Sequence, residues 1–278
     1  MTEKNYLDDV SVLIIGFDGY KDVWDHDIEL LNKYWPNRPK TYLANSILNP
    51  NYENVEIINA GPDSEWSKKV QVALNRIETP YVMLLLEDFY ITDYVDNQQL
   101  ESVMKMIETD GIKFYQILVQ LVKQSWEKGK PYKGNKRIII IPSNKKYGIN
   151  LQAAIWNKEF LRQTVGTGNY NAWEFEVNQL GTEDYNKEKI EYLIDTRNLL
   201  NITHAVVQSK YLRSAKKKLK TMGIEIPESE RAQLSKSDNF RYVLKLFMYS
   251  ATPKLLVKPF KSVGRLLNVD FVTDRVKK

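Results

Sequence analysis

The apolar positions of the chain fall into short runs that alternate with segments of helical spacing. Val10–Phe17 is a nearly continuous β-branched run, and between Trp24 and Tyr34 the apolar residues lie three or four positions apart. The first pattern is typical of a strand buried on both faces, and the second of a helix with one buried face. Strands that alternate with helices predict an α/β fold with a mostly parallel, doubly wound sheet flanked by helices.

The same alternation continues as far as residue 208. Further strands are expected at Lys40–Ala44, Val55–Ile58, Tyr81–Leu86, Phe114–Val122, Arg137–Ile141, Leu151–Trp156 and Ile202–Val207. Helices are expected between Trp66 and Ile77, from Asn97 to Thr109 and after Asn157. We therefore predict one domain over residues 1–208 and a basic helical extension over residues 209–278.

The predicted strand Tyr81–Leu86 ends in two adjacent carboxylates, Glu87 and Asp88. In open α/β sheets, ligands gather at the carboxyl ends of the strands. Two neighbouring acids repel each other there unless a cation lies between them, and oxygen ligands suit Mg²⁺ or Mn²⁺. The pair therefore predicts a divalent metal that carries a phosphorylated ligand. The alternative is that the two acids cap the next helix or face solvent.

The formal net charge of +5 hides an asymmetry along the chain. From Lys210 to the end there are 17 Lys and Arg against 6 Asp and Glu, a balance of +11, so the first 209 residues carry −6. The cations of this extension are mixed with Leu, Val and Phe, as in basic amphipathic helices that lie on anionic membrane surfaces. The alternative is that these helices pack on the domain and expose a solvated basic face.

Composition excludes several classes of protein. No apolar run reaches the roughly 18 residues needed to span a bilayer, and the first residues lack a signal-peptide pattern. With no cysteine and only two histidines, a disulfide framework or a Cys and His zinc site is not expected. Dinucleotide, P-loop and α/β-hydrolase glycine motifs are absent, and no nucleic-acid-binding signature stands out. We expect a cytoplasmic protein, peripheral at the inner face of the cell membrane, with no nucleic-acid partner.

Other polar residues also follow predicted strands. Asp18 follows the first strand, and Glu174 and Glu176 follow the strand that contains Trp156. A nucleotide base near the first strand, a metal-bound pyrophosphate at the acid pair and a carboxylate base at Glu174 or Glu176 would form a group-transfer site. Alternatively, Glu174 and Glu176 are acids favoured at a helix N-terminus.

An ordered set of short segments resembles bacterial GT-A-type glycosyltransferases of capsule and exopolysaccharide gene clusters, over about residues 10–210. The segments are Phe17–Tyr20 with Trp24, Tyr34–Pro36, Trp66–Ser67, Leu84–Phe89, Leu151–Trp156 and Trp173–Glu176. The resemblance implies a GT-A-like fold, a nucleotide-diphospho-sugar donor, a saccharide or lipid-linked saccharide acceptor, and bound Mn²⁺ or Mg²⁺. One departure is that adjacent Glu87 and Asp88 replace the usual Asp-x-Asp.

Residue roles follow from the same resemblance. Glu174 is the first choice for the base of an inverting displacement, and Glu176 the second. The implied metal ligands are Glu87, Asp88 and His204, and the implied donor contacts are Asp18, Trp66, Ser67, Glu87, Gln152 and Trp173. The alternative function is a non-catalytic scaffold of the same fold that binds a membrane surface or a partner protein.

Overall fold

A computed structural model describes residues 4–117, 129–142, 148–179 and 192–251 of the 278-residue chain. The chain divides into two compact units: the first comprises Met1–Val119 and Lys130–Ala205, and the second comprises Gln120–Gly129 and Val206–Lys278. The predicted end of one strand at Val122 and the basic stretch from Lys254 onward lie outside the described residues.

The first unit is built on a nine-stranded sheet, as far as the described residues show. Its strands, in spatial order, are β3 (Glu56–Asn59), β2 (Thr41–Asn45), β1 (Val10–Ile15), β4 (Tyr81–Leu86), β9 (Ala154–Asn157), β6 (Phe114–Ile117), β10 (Tyr192–Asp195), β8 (Asn135–Ile140) and β7 (Pro131–Tyr132). Seven of the nine strands run in one direction, and only β9 and β8 run against them. The predicted α/β class and mostly parallel sheet are thereby confirmed.

The central strands are buried on both faces, as their continuous apolar runs predict. All six residues of β1 are buried, and β4 pairs with it in parallel from Val10 opposite Tyr81 to Ile15 opposite Leu86. A two-stranded sheet lies beside this one, in which β5 (Phe89–Ile91) pairs antiparallel with β11 (Ile202–His204). Strand β5 begins directly after the acid pair, so the chain turns sharply at Glu87 and Asp88.

The helices of the first unit cover the sheet with the faces that their spacing predicts. They are α1 (Lys21–Tyr34), α2 (Trp66–Arg76), α3 (Asn97–Asp110), α4 (Lys158–Val165) and α5 (Ala172–Asn178). Asp96 caps α3 by accepting hydrogen bonds from two backbone N–H groups, and Gly111 ends the helix in the left-handed region with φ of 65°. Such end signals made this helix predictable to within one residue.

The second unit contains β12 (Val206–Val207), β13 (Lys210–Tyr211), α6 (Arg213–Thr221) and α7 (Lys236–Ala251). Helix α6 buries Ala215 and Leu219 completely, so the protein itself covers its apolar side. Across the described residues, no helix is long and apolar enough to cross a membrane.

Candidate active site

The carboxyl ends of β1, β2 and β4 lie at one edge of the sheet, because these strands pair in parallel. Strand β9 runs the other way, with Leu84 opposite Ala154, so its beginning lies at this same edge. Continuing that register places Gln152 across from Leu86, directly before the acid pair. The topology therefore brings Asp18, Glu87 and Asp88 to one edge, as the parallel pattern predicts, and the antiparallel direction of β9 adds Gln152 there.

Glu87 points toward the β1–α1 connection. Its Oε2 accepts hydrogen bonds from the backbone N–H of Phe17, at 2.7 Å, and from the indole N–H of Trp24. Burial of the carboxylate raises the pKa of Glu87 to about 8, against the two hydrogen bonds and nearby Lys69, which lower it, while Asp88 raises it further. In this arrangement Glu87 anchors the loop after β1, and its predicted contacts with metal and donor stay predictions.

Asp88 and His204 face each other across the β5–β11 pair. Phe89 is the strand partner of His204, and the backbone N–H of Ala205 donates to the carbonyl of Asp88 at 2.8 Å. These bonds bring His204 Nε2 to 2.9 Å from Asp88 Oδ2, and both side chains are mostly buried. The two residues are 116 positions apart in sequence, and the fold places them in contact.

Asp88 and His204 are hydrogen-bonded to each other, and the same two atoms are also spaced as neighbouring ligands of a divalent metal would be. Ligands at about 2.1 Å from an octahedral cation lie about 3.0 Å apart when they are neighbours, close to the 2.9 Å between these two atoms. Across the described residues, no group of three or more His, Asp or Glu side chains could hold a metal by itself. Mg²⁺ is commonly bound through one or two carboxylates plus substrate phosphates, so Asp88 is the group here that suits it best.

Asp18 holds the loop after β2. Its carboxylate accepts backbone hydrogen bonds from Ser46 at 2.8 Å, Ile47 at 3.0 Å and Leu48 at 3.2 Å. Burial alone would raise the pKa of Asp18, but these three bonds and the positive Lys69 lower it below its ordinary value. Phe17 and Ile47, on either side of this contact, are both exposed. The edge therefore carries an apolar surface next to the acid pair.

Two further charged residues belong to this edge, and the sequence analysis did not single them out. Lys69 is buried and donates to the carbonyl of Gly16 at 2.9 Å, next to Asp18 and Glu87. Asp27 is buried on α1, and its pKa lies well above the ordinary value because of burial first and the charges of Asp88 and Glu87 second. Each of these residues lies three or four positions from buried apolar residues of its own helix. A charged residue with that spacing is expected on the buried face of the helix, and this pattern could have identified both from the sequence.

Helix α2 begins at the same end of the sheet and is tied to the loop before α5. Ser67 is fully buried, and its hydroxyl donates to the carbonyl of Gly168 at 3.0 Å and accepts from the N–H of Tyr170 at 2.8 Å. Trp66 is also buried and packs against Phe175 with ring centroids 4.8 Å apart. In this arrangement Trp66 and Ser67 position α5, and their contact with a donor stays a prediction.

The residues of α5 divide into an exposed and an enclosed set. Trp173 is exposed, and Glu174 forms a capping box with Asn171, as the helix-terminus alternative describes. Glu176 turns toward the sheet, where its Oε1 accepts from the backbone N–H of Leu151 at 3.1 Å. Burial raises the pKa of Glu176 and that bond lowers it, with burial the stronger effect.

Glu176 thereby lies next to a polar cluster at the start of β9. Gln116 at the end of β6 is fully buried, and its amide donates to Gln152 at 3.1 Å and accepts from Asn150 at 3.2 Å. Glu176 is therefore bonded to Leu151, the residue next to Gln152, while Glu174 caps a helix. Of the two base candidates, Glu176 has the environment that poises a carboxylate for proton transfer.

Comparison with known proteins gives only distant likenesses. No family model matches the chain, and a search of curated proteins finds no match. Among solved structures, it is similar to residues 1–349 of S. aureus TarS at 12% identity and a TM-score of 0.45, covering 89% of this chain and 67% of that one. It is equally similar to a cytidylyltransferase from Leptospira borgpetersenii, at 12% identity and a TM-score of 0.45, covering 88% and 98%.

A third similarity is to the bifunctional IspDF from Campylobacter jejuni, at 11% identity and a TM-score of 0.35, covering 58% of this chain. The chain spans 44% of that protein and 44% of the longer TarS structure. TM-scores below 0.5 at such identities carry no argument about activity, so the candidate function rests on the site itself.

Proposed function

We propose that this protein is a glycosyltransferase that moves a sugar from a nucleotide-diphospho-sugar to a saccharide or lipid-linked saccharide in cell-surface polysaccharide synthesis. The observation that carries the proposal is the contact between Asp88 and His204 at 2.9 Å, at the carboxyl edge of the sheet. Two mostly buried metal-ligating groups at that edge offer a place for a cation that accompanies a diphosphate.

In the proposed complex, Asp88 and His204 hold Mn²⁺ or Mg²⁺, which when bound neutralises charge on the departing diphosphate. Glu87 keeps the Phe17–Asp18 loop in place, and the exposed side chains of Phe17 and Ile47 offer an apolar surface to the base. Exposed Trp173 offers an aromatic face to a sugar ring of the acceptor.

The chemical step is a single displacement at the anomeric carbon. The acceptor oxygen bonds to that carbon, the bond from the carbon to the diphosphate oxygen breaks, and the nucleoside diphosphate leaves. Glu176 takes the proton of the acceptor hydroxyl, because its enclosed carboxylate has a raised pKa and therefore a higher affinity for that proton. Glu174, which caps α5, is the second candidate for this role.

A ligand panel tests the proposal. Thermal unfolding is measured with UDP, GDP, dTDP or CMP, each with and without Mn²⁺, because a ligand that binds the folded state raises the unfolding temperature. We expect a metal-dependent rise with one nucleotide that is lost in Asp88→Asn and kept in Asp93→Asn, the same change at an exposed residue of the next turn. No rise with any nucleotide would reject the transferase and favour the non-catalytic scaffold.

The product then distinguishes two kinds of transfer. Release of a nucleoside diphosphate from the matching nucleotide sugar, in the presence of a saccharide acceptor, supports glycosyl transfer. Release of pyrophosphate from a nucleoside triphosphate and a sugar phosphate would instead identify a nucleotidyltransferase and contradict the proposed reaction.

A further inference from the structure

The second unit exposes two apolar side chains on one face of a helix. Phe240 and Val243, three positions apart on α7, are 65% and 52% exposed. Residues three apart on a helix are neighbours, so these two side chains form one apolar patch. Single exposed apolar residues are common on protein surfaces, whereas here two lie together on one helix.

The stretch of chain that carries the patch is rich in positive charge. Residues 206–251 contain 10 Lys and Arg against 4 Asp and Glu. On α6, Lys217, Lys218 and Lys220 are all exposed, while the apolar residues of that helix, Ala215 and Leu219, are buried in the protein. Helix α6 therefore exposes cations and no apolar side chain, whereas α7 exposes two apolar side chains.

The two helices start close together. Tyr211, two residues before α6, accepts a backbone hydrogen bond from Leu234 and donates one to Ala232, both at 2.9 Å. Arg213, the first residue of α6, also donates to the carbonyl of Leu234, which lies two residues before α7. These bonds hold the beginnings of α6 and α7 side by side, so the basic helix and the helix that carries Phe240 and Val243 start from one place in the second unit.

We propose that this surface docks on an anionic lipid bilayer, with Phe240 and Val243 inserted between the headgroups and the lysines of α6 held above them at the phosphates. Anionic lipid is favoured because the surface combines aliphatic and aromatic side chains with cations, which matches an interface that is apolar below and negative above. A nucleic acid would use the cations, but it offers no apolar layer to receive Val243. The inference does not depend on the proposed transferase activity.

Binding of the full chain to vesicles tests the proposal. The vesicles are phosphatidylcholine alone or phosphatidylcholine with an equal part of phosphatidylglycerol, and bound protein is measured by sedimentation. Each lysine near an anionic surface contributes about fivefold in affinity, so K217Q/K218Q/K220Q should weaken binding about a hundredfold. The paired change F240A/V243A should weaken it about tenfold and make the residual binding fully salt-dependent.

A matched control separates a specific surface from total charge. K33Q/K105Q/K136Q removes the same three charges from exposed positions of the first unit and should change binding less than twofold. An equal loss in the control, or absence of binding by the wild-type chain, would overturn the proposal. Tighter binding to a short single-stranded RNA than to vesicles, lost in the α6 variant, would replace lipid by nucleic acid.

The depth to which α7 enters the bilayer gives an independent test. Because the chain has no cysteine, a single cysteine can be introduced at a chosen position and labelled with a dye. An environment-sensitive dye on Phe240→Cys should shift its emission to the blue on anionic vesicles. The same dye on Ser214→Cys, an exposed position of α6, should show no shift. Equal shifts at both sites, or none at either, would contradict insertion through α7.

Discussion

Replacement of Glu87 by Gln should stabilise the first unit at neutral pH. The carboxylate accepts from the Phe17 N–H at 2.7 Å and from the Trp24 indole, and a Gln side-chain oxygen can accept both bonds. Burial, with a further contribution from Asp88, raises the pKa of Glu87 to about 8, so the folded wild type must hold a proton there at pH 7, whereas Gln needs none. A neutral isostere therefore keeps the anchor of the Phe17–Asp18 loop and relieves its electrostatic cost.

The size of the stabilisation by Glu87→Gln follows from the difference in the pKa of Glu87 between the folded and the unfolded chain. Burial raises the pKa of Glu87 to about 8 from an ordinary 4.5. Between these values the unfolded chain has lost the proton and the folded one retains it, so wild-type stability falls by about 1.4 kcal/mol per pH unit. At pH 7 this bounds the loss at about 3 kcal/mol, and since Glu87 is not fully buried and solvent screens part of the effect, we expect about 2 kcal/mol.

The assay is urea denaturation of both proteins at pH 5, 6 and 7 with a chelator present. Tryptophan fluorescence reports mainly on the first unit, because five of the six tryptophans lie there. The advantage of Glu87→Gln over wild type should grow with pH across this range and level off above pH 8. A variant less stable than wild type at pH 7, or an advantage independent of pH, would show that Glu87 is ionised in the folded protein and refute its role as a protonated anchor.

Three other changes test neighbouring parts of the site. Asp18→Ala loses three backbone hydrogen bonds and should lower the free energy of unfolding in urea by roughly 2 kcal/mol at pH 7. Because folding lowers the pKa of Asp18, the difference in stability between variant and wild type should shrink as the pH falls below the ordinary 3.8. Ser67→Ala should cost roughly 2 kcal/mol and speed amide hydrogen exchange over 168–178, whereas Ser11→Ala, which removes one buried bond at the other end of the sheet, should leave that exchange unchanged. Glu176→Gln should lower transfer about a hundredfold or more with little change in nucleotide binding; a loss in Glu174→Gln alone would instead make the capping residue the base.

Local patterns were enough to predict the sheet and the position of the acid pair. The continuous apolar run of β4 and its two terminal acids place Glu87 and Asp88 at a strand end whatever the neighbouring strands do. The capping signals around α3 similarly fix its ends, since Asp96 and Gly111 act within a few residues of the helix. These features depend on short stretches of sequence, where propensity and pattern carry the information.

Other features depend on which distant segments meet, and the sequence alone did not reveal them. The direction of β9, which brings Gln152 to the site, is set by its pairing with β4 and β6 rather than by its own residues. Glu87 and Asp88 are adjacent in sequence, yet one bonds to Trp24 and the other to His204, because the turn after β4 separates their side chains. Two carboxylates at neighbouring positions therefore have different surroundings, which a sequence motif does not distinguish.

The negative charges at the sheet edge affect how a nucleotide donor could bind there and whether its binding needs a metal ion. Asp27, Glu87 and Asp88 act on one another as like charges, and Lys69 opposes Glu87 from a buried position where it already binds the Gly16 carbonyl. A nucleotide diphosphate carries further negative charge, so its approach to this edge is repelled unless a cation accompanies it. Protonation of Glu87 removes one repulsive charge, and a divalent ion between Asp88 and His204 would offset the rest. The pH at which nucleotide binding becomes metal-dependent should therefore differ between wild type and Glu87→Gln, since only the wild type gains a charge at this edge as the pH rises through about 8.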